Sequence, residues 1–508
     1  MNEEGRPYDE QEFSALARRF EGMVSSGARE FFDADELDGL LDFYMEHREE
    51  RKARAVLKYA EELFPGNPTF KLRTAQLLSH SGQHVKAIPV LREVLALEPT
   101  NDEAWATLGG VYSQMQEHRL AIQHFRKALE WADDEMKQEL LLEIALEHEN
   151  LGEWHRAIRC LREAVDQQPE NETALYELAF CFDKVGSTDT AIAYFRAHLE
   201  AHPYAFAAWY SLGNALLTAN QYLEAIDAYD FAIAIEGGFG PAYHQKAEAL
   251  LALERFGEAF DTYKETLDFE PASPATTCYM GECLERMGSL ESAEAYYREC
   301  LDLDPTFSEA YLGLGALADA RGDVTGSIAF YERSIALDPD LTEGHILLGN
   351  AQKKLGFHSL AEPHYIRALE LEPAHIDAWY EWVDNRQRTG DHAGALALIE
   401  DGLKALGGNG DLMYRKFISL LYGGSPAAAY ELLEHLLHSD FEGADVVLTS
   451  FPELRNDVRF MQRYAHFRPA APDPAASSYS SDAAAPDPSD AADSSDAADA
   501  SEPAGSPT

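Results

Sequence analysis

Residues 104–112 read AWATLGGVY, and residues 208–216 read AWYSLGNAL. In both, a tryptophan, a leucine, a glycine and a bulky residue recur at the three- and four-residue spacings of one helix face. Ala121, Phe125 and Ala128 follow the first stretch, and Ala225, Tyr229 and Ala232 follow the second, again at helical spacing. Two short helices in tandem are therefore expected at each place.

Both stretches belong to a longer series, which the prolines measure. Pro65, Pro99, Pro169, Pro203, Pro271, Pro305, Pro339 and Pro373 are separated by 34, 70, 34, 68, 34, 34 and 34 residues. The gap of 68 is two periods, with Gly237 in the middle slot, and the gap of 70 is two periods plus an insertion expected in WADDEMKQE (residues 131–139). Other columns keep the same register. Ten residues after each marker stand Ala75, Gly109, Ala179, Gly213, Ala247, Gly281, Gly315 and Gly349. Twenty-six after come Leu91, Phe125, Phe195, Tyr229, Tyr263, Tyr297, Tyr331 and Tyr365. Six after, aromatic rings recur as Trp105, Trp209, Tyr243, Tyr311 and Trp379, and seventeen after comes glycine at 82, 186, 288, 322, 356 and 390.

These columns describe a helical hairpin. Glycine at the seventeenth place suits the left-handed residue that ends a first helix. Small residues at the tenth place let two antiparallel helices approach closely, and the ring at the twenty-sixth fills the volume they leave. Proline then stops the second helix and opens the next unit. Pro89 and Pro363 share a register near the fifth residue of a second helix, where a mild kink is expected rather than a break.

The pattern resembles the tetratricopeptide repeat family, whose signature runs W-x2-L-G-x2-Y, then A-x3-F, then P. Extending the ruler outward adds a first repeat with Leu37, Leu41, Tyr44, Ala53, Leu57 and Ala60. It also adds a degenerate last repeat with Met413, Phe417, Leu420, Ala429 and Leu433. The resemblance implies an all-α fold, a right-handed α-α superhelical solenoid of twelve repeats over residues 34–443. The amphipathic stretch with Phe13, Leu16, Phe20 and Met23, within residues 1–33, reads as an N-terminal capping helix. Residues 444–468 read as a C-terminal cap, and residues 469–508, almost entirely Ala, Ser, Asp and Pro, as a disordered acidic tail.

Composition narrows the function. The 41 Lys and Arg against 89 Asp and Glu leave a formal charge of −48, which argues against a nucleic-acid backbone or an anionic membrane as partner. The start, MNEEGRPYDE, has no basic region followed by an apolar one, and no apolar run approaches the length of a membrane span, so no membrane insertion is expected. Five scattered cysteines argue for reduced thiols in a cytoplasm, and a bacterial cytoplasm fits these features.

Chemistry is hard to place on this chain. Cys278 and Cys283 lack the spacing of a zinc knuckle, and His435 and His438 have no ligand partner at helical spacing. GLGALA (residues 313–318) imitates a dinucleotide-binding turn but falls inside a first helix and follows no strand. No catalytic residue, metal site or cofactor is therefore assigned.

What remains is surface. In the stacked array the resemblance implies, the first-helix positions facing away from the packing stripe line a concave groove, where family members hold peptides or partner helices. Its middle part carries Tyr176, Phe180, Tyr210, Asn214, His244 and Glu248. A later part carries Asn350, Lys353, Lys354, Tyr380, Asp384 and Arg388. The asparagines can grip a peptide backbone bidentately, the aromatics supply contact area, and Lys353, Lys354 and Arg388 form a small basic spot for an acidic ligand group. The family's carboxylate clamp needs a lysine four residues before such an asparagine; Tyr210 and Ile346 stand there instead, so that clamp is absent.

The reading is a non-catalytic scaffold or adaptor that binds a protein or peptide partner in the groove. Its alternative is a regulatory or substrate-recruiting subunit of a separate enzyme or assembly machine. The sequence names neither the partner nor an oligomeric state. The tail holds −8 of the charge and residues 1–468 hold −40, and lysine is rare at 13 against 28 arginines. This pattern points to a folded surface suited to high salt and a halophilic source. Molar KCl is accordingly expected to raise the melting temperature well beyond ordinary screening, which calorimetric scans at low and molar KCl will check; insensitivity to salt would count against it.

Overall fold

A computed structural model describes residues 10–27 and 29–468. Among them every regular element is helical. The described chain divides into two compact units, one up to Leu317 and one from Ala318.

The first unit opens with α1 (Glu10–Ser26) and continues as helical hairpins. These are α2 (Ala34–Glu46) with α3 (Glu50–Leu63), α4 (Pro68–His80) with α5 (His84–Leu97), and α6 (Asp102–Gln114) with α7 (His118–Leu129). Then come α8 (Asp134–Asn150) with α9 (Trp154–Gln167), α10 (Glu172–Val185) with α11 (Thr188–Ala201), and α12 (Phe206–Thr218) with α13 (Tyr222–Ile235). The last complete ones are α14 (Gly240–Ala252) with α15 (Phe256–Thr266) and α16 (Pro274–Arg286) with α17 (Leu290–Leu303). Helix α18 (Ser308–Ala320) carries the chain across the division and contains GLGALA, which forms no phosphate-binding loop.

The second unit holds α19 (Val324–Leu337), then α20 (Thr342–Lys354) with α21 (His358–Leu371), α22 (Ile376–Arg388) with α23 (His392–Ala405), and α24 (Gly410–Tyr422) with α25 (Pro426–Ser439). It closes with α26 (Glu442–Ser450), a short 3-10 helix (Pro452–Asn456) and α27 (Val458–Phe467).

The turn inside each hairpin explains the glycine column. Gly82, Gly186, Gly288, Gly322, Gly356 and Gly390 all adopt φ between 68° and 84°. Where the slot is not glycine, the backbone still turns left-handed, at Arg48, Gln116, Asn220 and Glu254, with φ between 56° and 61°. The hairpin geometry thus overrides the steric cost that these side chains carry there, roughly 1–2 kcal/mol. The slots are 34 residues apart except between Gln116 and Gly152, where the spacing is 36. The two extra residues lie where expected: α7 stops at Leu129, and α8, at 17 residues, begins at Asp134.

Two further columns acquire a physical reason. The Nε1–H groups of Trp105, Trp209 and Trp379 donate to the carbonyls of Pro99, Pro203 and Pro373, each at 2.9 Å. The Tyr243 hydroxyl reaches the Gly237 carbonyl at 3.1 Å, and His345 Nε2 lies 3.0 Å from the Pro339 carbonyl. Where a ring stands six places after a marker, it therefore satisfies the marker's own carbonyl, left orphaned where the preceding helix ends. Pro89 and Pro363 lie inside α5 and α21, and both helices run on uninterrupted.

Packing follows the tenth and twenty-sixth places. Tyr229 and Tyr365 are fully buried against Gly213 and Gly349. Burial of a phenol requires a partner for its hydroxyl. Tyr229 donates to Asn214 Oδ1 and Tyr365 to Asn350 Oδ1, each at 2.8 Å. At the N-terminal end, Phe20 and Met23 of α1 bury with Phe32 and Tyr44. At the other end, Leu454 and Phe460 bury with Phe417 and Tyr430, and the His438 ring packs on Phe467. The expected tail, residues 469–508, lies outside the described residues.

Neighbouring glycines in α6 separate packing from propensity. A Cβ on Gly109 would stand 2.5 Å from the Phe125 ring, whereas one on Gly110 meets nothing within 4 Å. Gly109→Ala is expected to destabilise by about 1–3 kcal/mol through overpacking. Gly110→Ala is expected to stabilise by up to about 1 kcal/mol through helix propensity. Urea unfolding of the two variants checks both signs.

Candidate functional site

In the first unit, α10 and α12 are the first helices of successive hairpins, and α11 lies behind them. Together they enclose a cavity of about 390 Å³. Four of the six residues expected in the middle of the groove line it: Tyr176, Phe180, Tyr210 and Asn214. Helical spacing brings this about, because Tyr176 and Phe180 are four apart on α10, as are Tyr210 and Asn214 on α12.

The walls are aromatic. Tyr176 and Tyr210 meet edge to face, with ring centroids 6.0 Å apart. Phe239 ties them together, stacked on Tyr176 at 6.4 Å and edge-on to Tyr210 at 5.1 Å. Phe206 closes on Phe239 from the start of α12 at 5.2 Å. Phe180 stays 43% exposed at the mouth, so a ligand can cover it. The Lys184 ammonium lies 4.9 Å above the centre of that ring.

Two polar groups in the walls lack partners. The Tyr176 hydroxyl and the Ser211 Oγ are buried with no hydrogen bond, and Ser211 is only 1% exposed. Burial, with Glu172 next, pushes the Tyr176 phenol up to about 12, so it remains a neutral donor at pH 7. Asn214 offers less than a bidentate grip, because its Oδ1 already accepts from Tyr229. Among the described residues, no group accepts from its amide nitrogen. The cavity is therefore an apolar, aromatic slot bordered by the Asn214 amide, with the two hydroxyls sealed in its walls.

The other two residues of this set lie outside the cavity on α14. His244 sits 3.9 Å from a Glu270 carboxylate oxygen, and its ring lies 5.7 Å from Tyr263. Glu248 is exposed. Sequence reasoning missed Phe239, Phe206 and Ser211. The first left a signal: Gly237 replaces the ruler proline, and the GGFG turn (residues 237–240) that follows delivers Phe239 to the groove.

The later set falls in the second unit and is only partly gathered. Lys353, Asp384 and Arg388 line a cavity of about 260 Å³. Tyr380 stands beside it, its hydroxyl 2.8 Å from Asn409 Oδ1 and 3.0 Å from Asp411 Oδ2, with the Arg415 guanidinium 4.3 Å over its ring. Asn350 is engaged by Tyr365.

The basic spot expected here is internally neutralised. Lys353 pairs with Glu381 and, at 2.8 Å, with Asp384; Arg388 also reaches Asp384 at 2.8 Å, and Lys354 pairs with Asp319. Glu381 on α22 and Asp319 on α18 take up the two lysines, and Asp384, expected in the same set, pairs with Arg388 one turn away on α22 as well as with Lys353 on α20. Burial alone would raise the Asp384 carboxyl, but Lys353 and Arg388 overcome it and hold the group below the usual carboxylate range.

Residues 88–200 match the family described as "Cytochrome c-type biogenesis protein H TPR domain". Residues 182–241 and 280–341 match the family described as "Tetratricopeptide repeat". The chain carries tetratricopeptide repeats. The repeat segment is 23% identical over 197 residues to Anaphase-promoting complex subunit 3 of Schizosaccharomyces pombe, covering 38% of this chain and 29% of that protein. The chain thus spans under a third of that curated relative. Among solved structures of repeat proteins, the APC/C hetero-tetramer Cut9–Hcn1 aligns at 13% identity over 81% of this chain and 94% of that chain, with a TM-score of 0.42. YrrB, described as a TPR protein with an unusual peptide-binding site, aligns at 18% identity over 37% of this chain and 96% of that chain, with a TM-score of 0.27. Among the described residues, no group of His, Cys, Asp and Glu could hold a metal ion, and no helix is long and apolar enough to cross a membrane.

The repeats place Asp384 where a pH test is clean. A depressed carboxylate contributes stability above its unfolded pKa, near 4, and loses it as pH falls through the lower folded value. The melting-temperature difference between the wild type and Asp384→Asn is therefore expected to be largest at neutral pH and to shrink below about pH 4, which scans from pH 7 to 3 will show.

Proposed function

We propose that this chain is a non-catalytic scaffold that holds a segment of a protein partner along the first-helix face of its repeats. The observation that carries the reading is the aromatic cavity between α10 and α12, whose Tyr176 and Ser211 hydroxyls are buried without partners. An apolar side chain of the partner enters the slot, and a neighbouring peptide carbonyl accepts from the Asn214 amide. Phe180, Tyr210 and Phe239 supply contact area at low entropic cost.

In the second unit, the ion-paired cluster of Lys353, Asp384 and Arg388 supports a separate polar surface on that unit's first helices, with Tyr380 at its edge. His244 and Glu248 flank the aromatic slot within the first unit, and Asn350 and Lys354 flank the ion-paired cluster within the second. The strongly acidic surface supports a cytoplasmic setting and a halophilic source. A second reading, a recruiting subunit of a larger assembly, draws on the resemblance to a protein named as a subunit of the anaphase-promoting complex. Co-purification separates the two, since a recruiting subunit brings one enzyme at fixed stoichiometry.

Tyr176→Ala/Phe180→Ala is expected to weaken capture of the natural partner at least tenfold in quantitative pull-downs while the melting transition persists. Full retention of the partner by that variant would refute the groove assignment.

A further inference from the structure

A second cavity in the first unit, about 580 Å³, opens between the second helices α7 and α9 and the end of α8. None of its lining residues lines the aromatic slot. Its charge inverts that of the molecule. The chain carries 89 acids against 41 basic residues, yet this cavity is lined by Arg119, Arg126, Arg156 and Arg159 against Glu153 and Glu163 alone. The register explains the convergence: α7 and α9 are neighbouring second helices, and each presents two arginines to the furrow between them.

The arginines are not consumed by pairing. Arg156 donates to Glu153 at 2.8 Å, but Arg119 and Arg159 pair with no described carboxylate. Arg126 is held by a neutral group. His148, only 2% exposed, places Nδ1 2.8 Å from Glu153 and Nε2 3.5 Å from the Arg126 Nη2. A guanidinium only donates, so Nε2 must accept and Nδ1 must carry the proton that Glu153 receives. Burial keeps His148 below its ordinary pKa, against the opposing pull of Glu153, and the ring stays uncharged at pH 7. The buried ring therefore orients Arg126 without cancelling its charge.

We propose that this cavity binds an oxyanion, a carboxylate or phosphoryl group, carried by an acidic segment of a protein partner. Guanidinium groups from two helices match such groups bidentately. A globally acidic protein repels acidic segments, so capture depends on this local reversal of sign and weakens with salt.

The test uses the whole chain and two fluorescein-labelled peptides, hexaglutamate and the same peptide with one central phosphoserine, read by anisotropy at low salt. Arg126→Gln/Arg159→Gln is expected to lose at least tenfold in affinity for the bound peptide. Arg196→Gln/Arg298→Gln removes the same charge from exposed arginines elsewhere in the unit and is expected to change it less than twofold. Tyr176→Ala/Phe180→Ala is expected to leave it unchanged, which keeps this result separate from the fate of the aromatic slot. Stronger binding of the phosphoserine peptide assigns a phosphoryl ligand, and equal binding assigns a carboxylate. Absence of binding to the wild type, or equal losses in both arginine double variants, would overturn the proposal.

Discussion

The close approach of two antiparallel helices, a small residue on one against a ring on the other, is the contact on which the rest of this structure depends. Gly213 with Tyr229 and Gly349 with Tyr365 show why the two columns are coupled. A methyl at the glycine would overlap the ring, and loss of the ring would leave a cavity. Once the ring is buried its hydroxyl must be answered, so Asn214 and Asn350 become part of the packing. The contact thus reaches from the core to the face where ligands are expected, because the asparagine that completes it also borders the groove.

Charge is arranged around the same repeat. Many cations bridge roughly one period: Arg73 to Asp38, Arg196 to Glu224, Lys353 to Glu381 and Lys354 to Asp319. Such pairs fasten neighbouring units while lowering the repulsion that a net −48 imposes. The exposed pair of Arg196 with Glu224 is worth little by itself, whereas Arg73 and Lys353 are partly shielded from solvent where they pair. The furrow between α7 and α9 departs from the arrangement, since its arginines outnumber nearby acids and one of them rests on a neutral histidine.

The fold was legible because each repeat poses the same local problem and solves it with the same residue types. The proline ruler, the left-handed glycines and the ring at the sixth place all report hairpin geometry, which is local in sequence. Even Arg48, Gln116, Asn220 and Glu254, which hide the glycine column, obey the spacing once their backbone is seen. The middle of the candidate site was legible for the same reason, since Tyr176, Phe180, Tyr210 and Asn214 follow from helical periodicity. Phe239 was not, because it reaches the groove from a loop in which the marker proline is missing.

The sequence by itself determined the helical hairpin, its period, its turn residues and the ring that fills it, because those depend on contacts within one repeat. Only the tertiary structure decided which polar groups remain unpartnered, since pairing depends on side chains from adjacent helices that no single helix face reveals. Lys353 and Lys354 look like a basic spot along the chain and are neutralised in space by acids on other helices. Arg126 and Arg159 look unremarkable along the chain and converge in space. Electrostatic sign is a property of the neighbourhood, and packing alone sets the neighbourhood.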